Sequence, residues 1–469
     1  MGAEYELAII GSGPGGHKAA MQAAKLHRRT VIIDRGPMVG GVSTNTGTIP
    51  SKTLREAILY LTGLGQREVY GQAFRVKADL TFDDLRRRME QVIDIERNVI
   101  RDQLLRNHVT LLDGTASFVG PHELKVTSPE SERRLEAERF VLAPGSRPSR
   151  PDGVAFNERT ILDSDGILHL EQIPDTMVVV GAGVIGVEYA SMFTALGCKV
   201  TLVDGRPDVL PFCDGEIVEA LLFYLRDRRL TLRVGEKVVA VEEHASGTVT
   251  RLESGKAIAA DVVLYSAGRR GAVDDLGLEA AGLTPTDRGL IEVDGTYRTA
   301  VGHVWAVGDV VGFPSLAASS AEQGRVAALD LFGQACEPLD GDLLPFGIYA
   351  IPEISFVGKN EEELTEAGVP YEVGTSRYRE LARGQIMGDT HGMLKLVVGA
   401  SDRSLLGVHA FGPGATELVH IGQAAMALGG GVDYLVDAVF NYPTLAEAYK
   451  VAALDATNKL TTLREALSD

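Results

Sequence analysis

Three cysteines in 469 residues, Cys198, Cys213 and Cys336, are too few and too scattered to form a disulfide framework, and no CxxC spacing occurs. A reducing, cytoplasmic environment is the expectation. Ten histidines show no HExxH or related spacing, so no metal is expected. Long apolar runs are also missing. The longest, MVVVGAGVIGV (177–187), falls short of the roughly 20 residues a membrane span needs. The opening MGAEYELAIIGSGPGG has no basic region before its short apolar run and no cleavage-like segment, so no secretion signal is expected. Basic excess is absent too. Lys and Arg number 46 against 64 Asp and Glu, a net charge of −18, the wrong sign for a nucleic-acid or anionic-membrane partner.

What is present is ordinary globular composition, 45% apolar and 23% charged, which excludes wholesale disorder. At about 150 residues per domain, the length implies about three domains. The 53 glycines follow no collagen-like period and point to many tight turns.

ELAII (6–10) reads as a strand, followed by glycines, an Ala-rich helix ending near Lys25, and the strand TVIID (30–34). This is the βαβ unit of a parallel sheet. A second copy begins at TMVVV (176–180), continues through GAGVIG and a helix to Leu196, and ends in KVTLVD (199–204). Residues 50–110 read as helical, and PESERRLEAERF (129–140) as an exposed hairpin. After about residue 345, short strands such as MLKLVVGA and LLGVHAFG mix with helices in an α+β pattern. The fold class is α/β: two Rossmann-like dinucleotide-binding domains and a C-terminal α+β domain for subunit contact.

The first loop satisfies GxGxxG between strand and helix. Gly11 permits the tight turn, Gly13 lets a pyrophosphate approach the backbone, and Gly16 lets helix and strand close together. The helix N-terminus adds partial positive charge. Asp34 ends the next strand, where a carboxylate can accept from a ribose hydroxyl. Gly181, Gly183 and Gly186 repeat this pattern, with Asp204 ending the second strand and Arg206 two residues later. Asp204 suits the 2′-hydroxyl of NAD and Arg206 the 2′-phosphate of NADP, which leaves the preference open. Two dinucleotide sites in one chain are most economically explained by a fixed flavin and a visiting nicotinamide.

With GGVSTNTGTIPSK (40–52), VLAPGSRP (141–148), LYSAGR (264–269), TAVGHVWAVGDVVG (299–312), LAASSAEQGR (316–325) and FNYPTLAEAY (440–449), nearly the whole chain resembles the flavoprotein pyridine nucleotide-disulfide oxidoreductases. The resemblance implies non-covalent FAD, one per chain, held by Gly11, Gly13, Gly16, Asp34, Arg35, Gly40, Gly41, Ser43, Thr48, Lys52, Ala116, Gly145, Asp309 and Ala317. It assigns NAD(P) to Gly181, Gly183, Gly186, Asp204, Arg206 and Gly268. Lys52 and Glu188 match the family's ion pair beside flavin N5, the catalytic pair of this reading. The implied layout is an FAD-binding domain over 1–150, an NAD(P)-binding domain over 151–275, a return to the FAD and central domain over 276–345, and an interface domain over 346–469. The tail resembles the family's interface segment and implies a homodimer or larger homo-oligomer.

Departures from the family pattern bear on function. Ser43 and Thr48 stand where disulfide-reducing members carry two cysteines, and Tyr442 stands where they carry a histidine before the proline; the acid Glu447 is retained. A hydroxyl can form neither a disulfide nor a thiolate. Within the family, the soluble transhydrogenase branch is most similar, sharing GTIPSK and FNYPT. Its relatives commonly keep the first cysteine. The expected activity is hydride exchange between NADPH and NAD⁺ through FAD in a ping-pong cycle. The alternatives are an NAD(P)H:quinone reductase and a non-catalytic sensor of the nucleotide ratio. His409 and His420 are expected to be surface or core contacts, Trp305 packing, and Cys198 a small apolar filler.

Overall fold

The computed structural model describes residues 3–468. Its residues cluster into two units: residues up to Leu54 with Asp84–Ser149 and Gly268–Leu339, and Arg55–Asp83 with Arg150–Ala267 and the residues from Asp340 onward.

The first unit is built on a seven-stranded sheet. Strand β1 (Tyr5–Ile10) leads through helix α1 (Pro14–Lys25) to β2 (Thr30–Asp34), and β1 pairs in parallel with β2 and with β3 (Glu132–Leu142). Thr110–Asp113 extends the sheet beyond β2, Val304–Ala306 pairs in parallel with β3, and an antiparallel meander of Thr115–Gly120 and Glu123–Thr127 joins its other edge. Both faces of the sheet are covered, which is why ELAII reads as a continuous apolar run. Leu7 and Ile9 pack with Ala19, Ala20 and Ala23 of α1, whereas Ala8 and Ile10 pack with Phe118, Phe140 and Val304 on the opposite face. Trp305 is buried and its indole N–H donates to Asp330 at 2.9 Å.

The second unit contains a five-stranded parallel sheet. Strand β4 (Thr176–Val180), helix α2 (Val184–Leu196) and strand β5 (Lys199–Asp204) repeat the first βαβ unit. After helix α3 (Gly215–Asp227), strand β6 (Thr231–Val234) pairs with β5, while Val262–Tyr265 and Ile161–Leu162 extend the far side of β4. A three-stranded antiparallel meander, Val238–His244, Gly247–Leu252 and Ala257–Ala260, connects β6 to Val262–Tyr265. The C-terminal part of this unit is a five-stranded antiparallel sheet running in the order 346–348, 354–358, 405–411, 393–399, 371–377. Helices Ala415–Ala427 and Glu447–Ser468 pack on it. Tyr449, fully buried, donates its hydroxyl to Leu418 O (2.6 Å) and accepts from Gly422 N (3.1 Å).

One polar cluster crosses this second unit. Lys395, 1% exposed, reaches Asp214, Glu216 and Glu361. Asp214 also caps α3, accepting from the backbone of Glu216 (3.1 Å) and Ile217 (3.3 Å). His409 is buried beside Phe356, with Nε2 2.9 Å from Lys359 O, and burial pushes its pKa down. His420 is exposed. Among the described residues, no helix is long and apolar enough to cross a membrane.

Candidate functional site

Each glycine loop combines close packing with deliberate emptiness. In the first, Gly11 has φ +97° and a Cβ there would overlap the Ala143 carbonyl. A Cβ on Gly16 would overlap the carbonyl oxygen of Gly11, so only glycine lets α1 start this close to β1. Gly13 is different: an added Cβ would meet only Gly41 Cα, at 3.9 Å. No side chain caps the N-terminus of α1, which leaves its leading N–H groups for a ligand.

The carboxylate after β2 is tied into the same loop. Asp34 Oδ2 accepts from Ser12 N (2.7 Å) and Ser12 Oγ (2.6 Å), and Oδ1 accepts from Arg35 N (2.8 Å). Ser12 Oγ in turn accepts from Gly40 N at 2.9 Å. Burial raises the Asp34 pKa, partly opposed by the two Ser12 bonds. Gly40 and Gly41 lead into the short helix Gly41–Asn45, which carries Ser43. Helix Thr48–Thr62 follows, with Thr48 and Lys52 one turn apart on one face. Lys52 Nζ donates to Ser51 Oγ at 3.3 Å.

The other residues assigned to FAD divide between this loop and a second patch of the same unit. Asp309 accepts from Ser146 Oγ at 2.5 Å, and Arg269 secures that serine through Nε to Oγ (2.8 Å) and Nη2 to its carbonyl (2.9 Å). Gly145, next to Ser146, has open space where a side chain would be. Ala317 opens helix Ala317–Leu331, whose residue Gln323 accepts from Gly308 N at 2.7 Å. Ala116 is buried in the core opposite Val126, which leaves only its backbone for any ligand. Arg35 is exposed.

The second glycine loop repeats the first. Gly181 has φ +105°, a Cβ on Gly186 would overlap the Gly181 carbonyl oxygen, and a Cβ on Gly183 would meet nothing within 4 Å. Helix α2 also lacks a side-chain cap. Asp204 Oδ2 accepts from Ala182 N at 2.7 Å, as Asp34 does from Ser12 N. Here the carboxylate also grips a cation. Arg206 donates from Nη2 to Oδ2 (2.8 Å), from Nε to Oδ1 (3.1 Å) and from its backbone N–H to Oδ1 (2.8 Å). Burial works to raise the Asp204 pKa, but the Arg206 guanidinium and the two backbone N–H groups outweigh it and hold the carboxyl below its ordinary value.

Glu188 on α2 is 3% exposed and accepts from Tyr349 N at 2.8 Å. One turn later Ser191 Oγ accepts from Ile351 N at 2.9 Å, so α2 is stitched to the segment 349–351. Gly268 (φ +104°, with open space at its Cβ) belongs to the first unit, and the other residues assigned to NAD(P) belong to the second. Sequence reasoning missed Ser12, Ser146, Arg269 and Gln323. Ser12 had a usable signal as the polar residue inside GxGxxG; Ser146 and Arg269 lie more than 100 positions from the residues they hold, whereas Gln323 reaches Gly308 from 15 positions away.

These features fit a dinucleotide at each loop. Open positions at Gly13, Gly145 and Gly183 would be filled by any side chain larger than hydrogen, and an uncapped helix start faces each loop. Cys198 and Cys213 offer no competing chemistry, because burial pushes each thiol up to about 12.

The family model for pyridine nucleotide-disulphide oxidoreductases matches residues 5–324, and the one for their dimerisation domain matches residues 344–453. The chain is similar to the soluble pyridine nucleotide transhydrogenase of Mycobacterium tuberculosis (strain ATCC 25177 / H37Ra), with 58% identity over 98% of this chain and 99% of the relative. The corresponding protein of Colwellia psychrerythraea (strain 34H / ATCC BAA-681) is 42% identical over 97% and 99%. Among solved structures, LpdA from Mycobacterium tuberculosis superposes with a TM-score of 0.89 at 25% identity, covering 96% of this chain and 98% of its own. The HOCl-induced flavoprotein disulfide reductase RclA from Escherichia coli gives 0.86 at 27% identity, covering 96% and 99%. The chain therefore belongs to the pyridine nucleotide-disulphide oxidoreductases, FAD-dependent oxidoreductase enzymes, in the branch of the soluble pyridine nucleotide transhydrogenases.

Proposed function

We propose that this chain passes hydride between NADPH and NAD⁺ through bound FAD in a ping-pong cycle, with no redox-active disulfide. The observation that carries the reading is the pairing of two glycine-loop-and-carboxylate sites with hydroxyls, Ser43 and Thr48, where disulfide-reducing relatives carry cysteines. FAD, one per chain and non-covalent, would supply a two-electron store for hydride when bound.

The residues have separable duties. Gly11, Gly13, Gly16 and the start of α1 receive the FAD pyrophosphate, and Asp34, beside Arg35, accepts from its ribose. Asp309, steadied by Ser146, accepts from the ribityl chain. Gly40, Gly41, Ser43, Thr48, Gly145, the backbone of Ala116 and the helix start at Ala317 complete that site. Lys52 offers a positive charge toward the ring, and Glu188 is its acidic counterpart in the family pattern. Gly181, Gly183, Gly186 and Gly268 admit the nicotinamide nucleotide, Asp204 favours a 2′-hydroxyl, and Arg206 offsets the repulsion of a 2′-phosphate.

Domain limits near 150, 275 and 345 are proposed with this reading. The dimerisation-domain match supports a homo-oligomer, and Tyr442 of the proposed interface segment is exposed. The scattered free cysteines suit the cytoplasm.

Initial rates measured across NADPH concentrations at several fixed NAD⁺ concentrations test the cycle. Parallel double-reciprocal lines are expected, with negligible turnover of lipoamide or glutathione disulfide. Intersecting lines refute the ping-pong order, and brisk disulfide reduction refutes the cysteine-free chemistry.

A further inference from the structure

The turn after β5 has a neighbour that the Asp204 and Arg206 assignments do not use. Strands β5 and β6 run in parallel with Asp204 opposite Val234. The chain leaving β6 through Gly235, Glu236 and Lys237 folds back onto that turn. Gly235 N donates to Arg206 O at 2.9 Å, and Glu236 N donates to Asp204 O at 3.0 Å. Lys237 thereby comes beside Gly205, its Cα and Cβ each 3.8 Å from where a Gly205 Cβ would stand. Because Gly205 has no side chain, nothing from this turn blocks the root of the Lys237 side chain.

Asp204 and Arg206 form a neutral pair that would leave a 2′-phosphate at this spot unbalanced. Arg206 is bound through both Nε and Nη2 to Asp204, so much of its charge is already spent on that carboxylate. A 2′-hydroxyl tolerates such a neutral pair, but a 2′-phosphate carries close to two negative charges and needs more than one partly neutralised guanidinium. Glu236 does not oppose Lys237, because its carboxylate is taken by Lys256 at 2.6 Å. Lys237 itself is exposed and forms no ion pair among the described residues. Its four-carbon stem lets the ammonium reach over Gly205 toward the turn.

We propose that Lys237 is the second cation of the 2′-phosphate subsite, the specificity-determining residue that lets a site built around Asp204 also accept NADP(H). Asp204 serves the 2′-hydroxyl form, and Arg206 and Lys237 together serve the 2′-phosphate form. This rests on the reading of Gly181–Gly186 as the shared nucleotide site.

The test is calorimetric titration of the FAD-loaded protein with 2′,5′-ADP and with ordinary ADP, which differ in where the second phosphate sits. Lys237→Gln is expected to weaken 2′,5′-ADP about 5–20-fold, and Lys237→Arg to restore most of the loss. ADP binding is expected to change less than twofold, and the salt dependence of 2′,5′-ADP binding to become shallower. Equal affinity of Lys237→Gln and the natural protein for 2′,5′-ADP overturns the proposal, as does an equal loss for both ligands. Gly183→Ala separates the two levels. Its failure to weaken either ligand refutes the shared site and Lys237's role with it. Its success together with an unaffected Lys237→Gln refutes the lysine assignment alone.

Discussion

Arg206→Ala separates a structural role of the Asp204 pair from a role in choosing nucleotides. In the free protein the guanidinium side chain is 56% exposed and Asp204 is 8% exposed. The guanidinium is open to water and Asp204 keeps its bonds from the backbone N–H groups of Ala182 and residue 206, so the pair is worth about 0–1 kcal/mol and the melting temperature is expected to fall by no more than about 4 °C. The effect on NADPH is larger. A hydrogen bond to a charged group contributes about 1.5–3 kcal/mol, and each 1.4 kcal/mol is about tenfold, which predicts a loss of about 10–150-fold in kcat/KM for NADPH. Removing the cation also leaves Asp204 to repel the phosphate unopposed. NADH has only a hydroxyl there and is expected to lose about threefold or less. Stopped-flow reduction of the bound flavin by each nucleotide measures both values on one protein. Equal losses for the two nucleotides, or selectivity unchanged, would refute the reasoning.

The same variant carries a pH signature. Asp204 has its carboxyl held below the ordinary value of 3.8, despite burial, by Arg206 and the backbone N–H groups. The stabilisation is therefore complete above about the unfolded value and is lost as pH falls through the lowered folded value. With Arg206 gone, the influence of burial grows and the carboxyl protonates at higher pH. The acid limb of kcat/KM for NADH is expected to move upward in Arg206→Ala relative to the natural protein.

Three further substitutions test the scaffold. Gly183→Ala places a methyl in open space at φ −81°, so stability should change by no more than about 1 kcal/mol. KM should rise about tenfold or more for NADH and NADPH alike in steady-state assays, and a selective loss would contradict the pyrophosphate role. Gly16→Ala drives a methyl into the Gly11 carbonyl and is expected to cost about 1–3 kcal/mol, with a lower flavin-to-protein absorbance ratio in the purified protein. Lys395→Met strands the buried Asp214 carboxylate and is expected to cost about 3–5 kcal/mol in urea unfolding. Adding Asp214→Asn should recover part of that loss, and no recovery would show that the cluster acts otherwise.

Local physics made the two βαβ units legible. Strand periodicity, glycine spacing and a terminal carboxylate all lie within 30 residues, and β4, β5 and the end of α2 fall where TMVVV, KVTLVD and Leu196 placed them. The reading of 50–110 as helical holds only in part. Two helices, Thr48–Thr62 and Phe82–Arg106, bracket a segment of turns and one-turn helices punctuated by Gly63, Gly65 and Gly71, residues that favour turns over helix interiors. Partners distant in sequence were invisible. Ser146 meets Asp309 across 163 positions and Lys395 meets Asp214 across 181, and no local periodicity encodes either contact. Arg206 was legible as a residue near the nucleotide, but its bidentate grip on Asp204 was not, because only the turn geometry brings the guanidinium back onto the carboxylate.

Hydride exchange without sulfur is tested most directly in two anaerobic steps. The yellow protein is reduced with NADPH, freed of excess nucleotide, and then given NAD⁺. Return of the oxidised flavin spectrum with one NADH formed per flavin is the expected result. Flavin that stays reduced after NAD⁺ is added, or a purified chain that carries no flavin and takes none up, would contradict it.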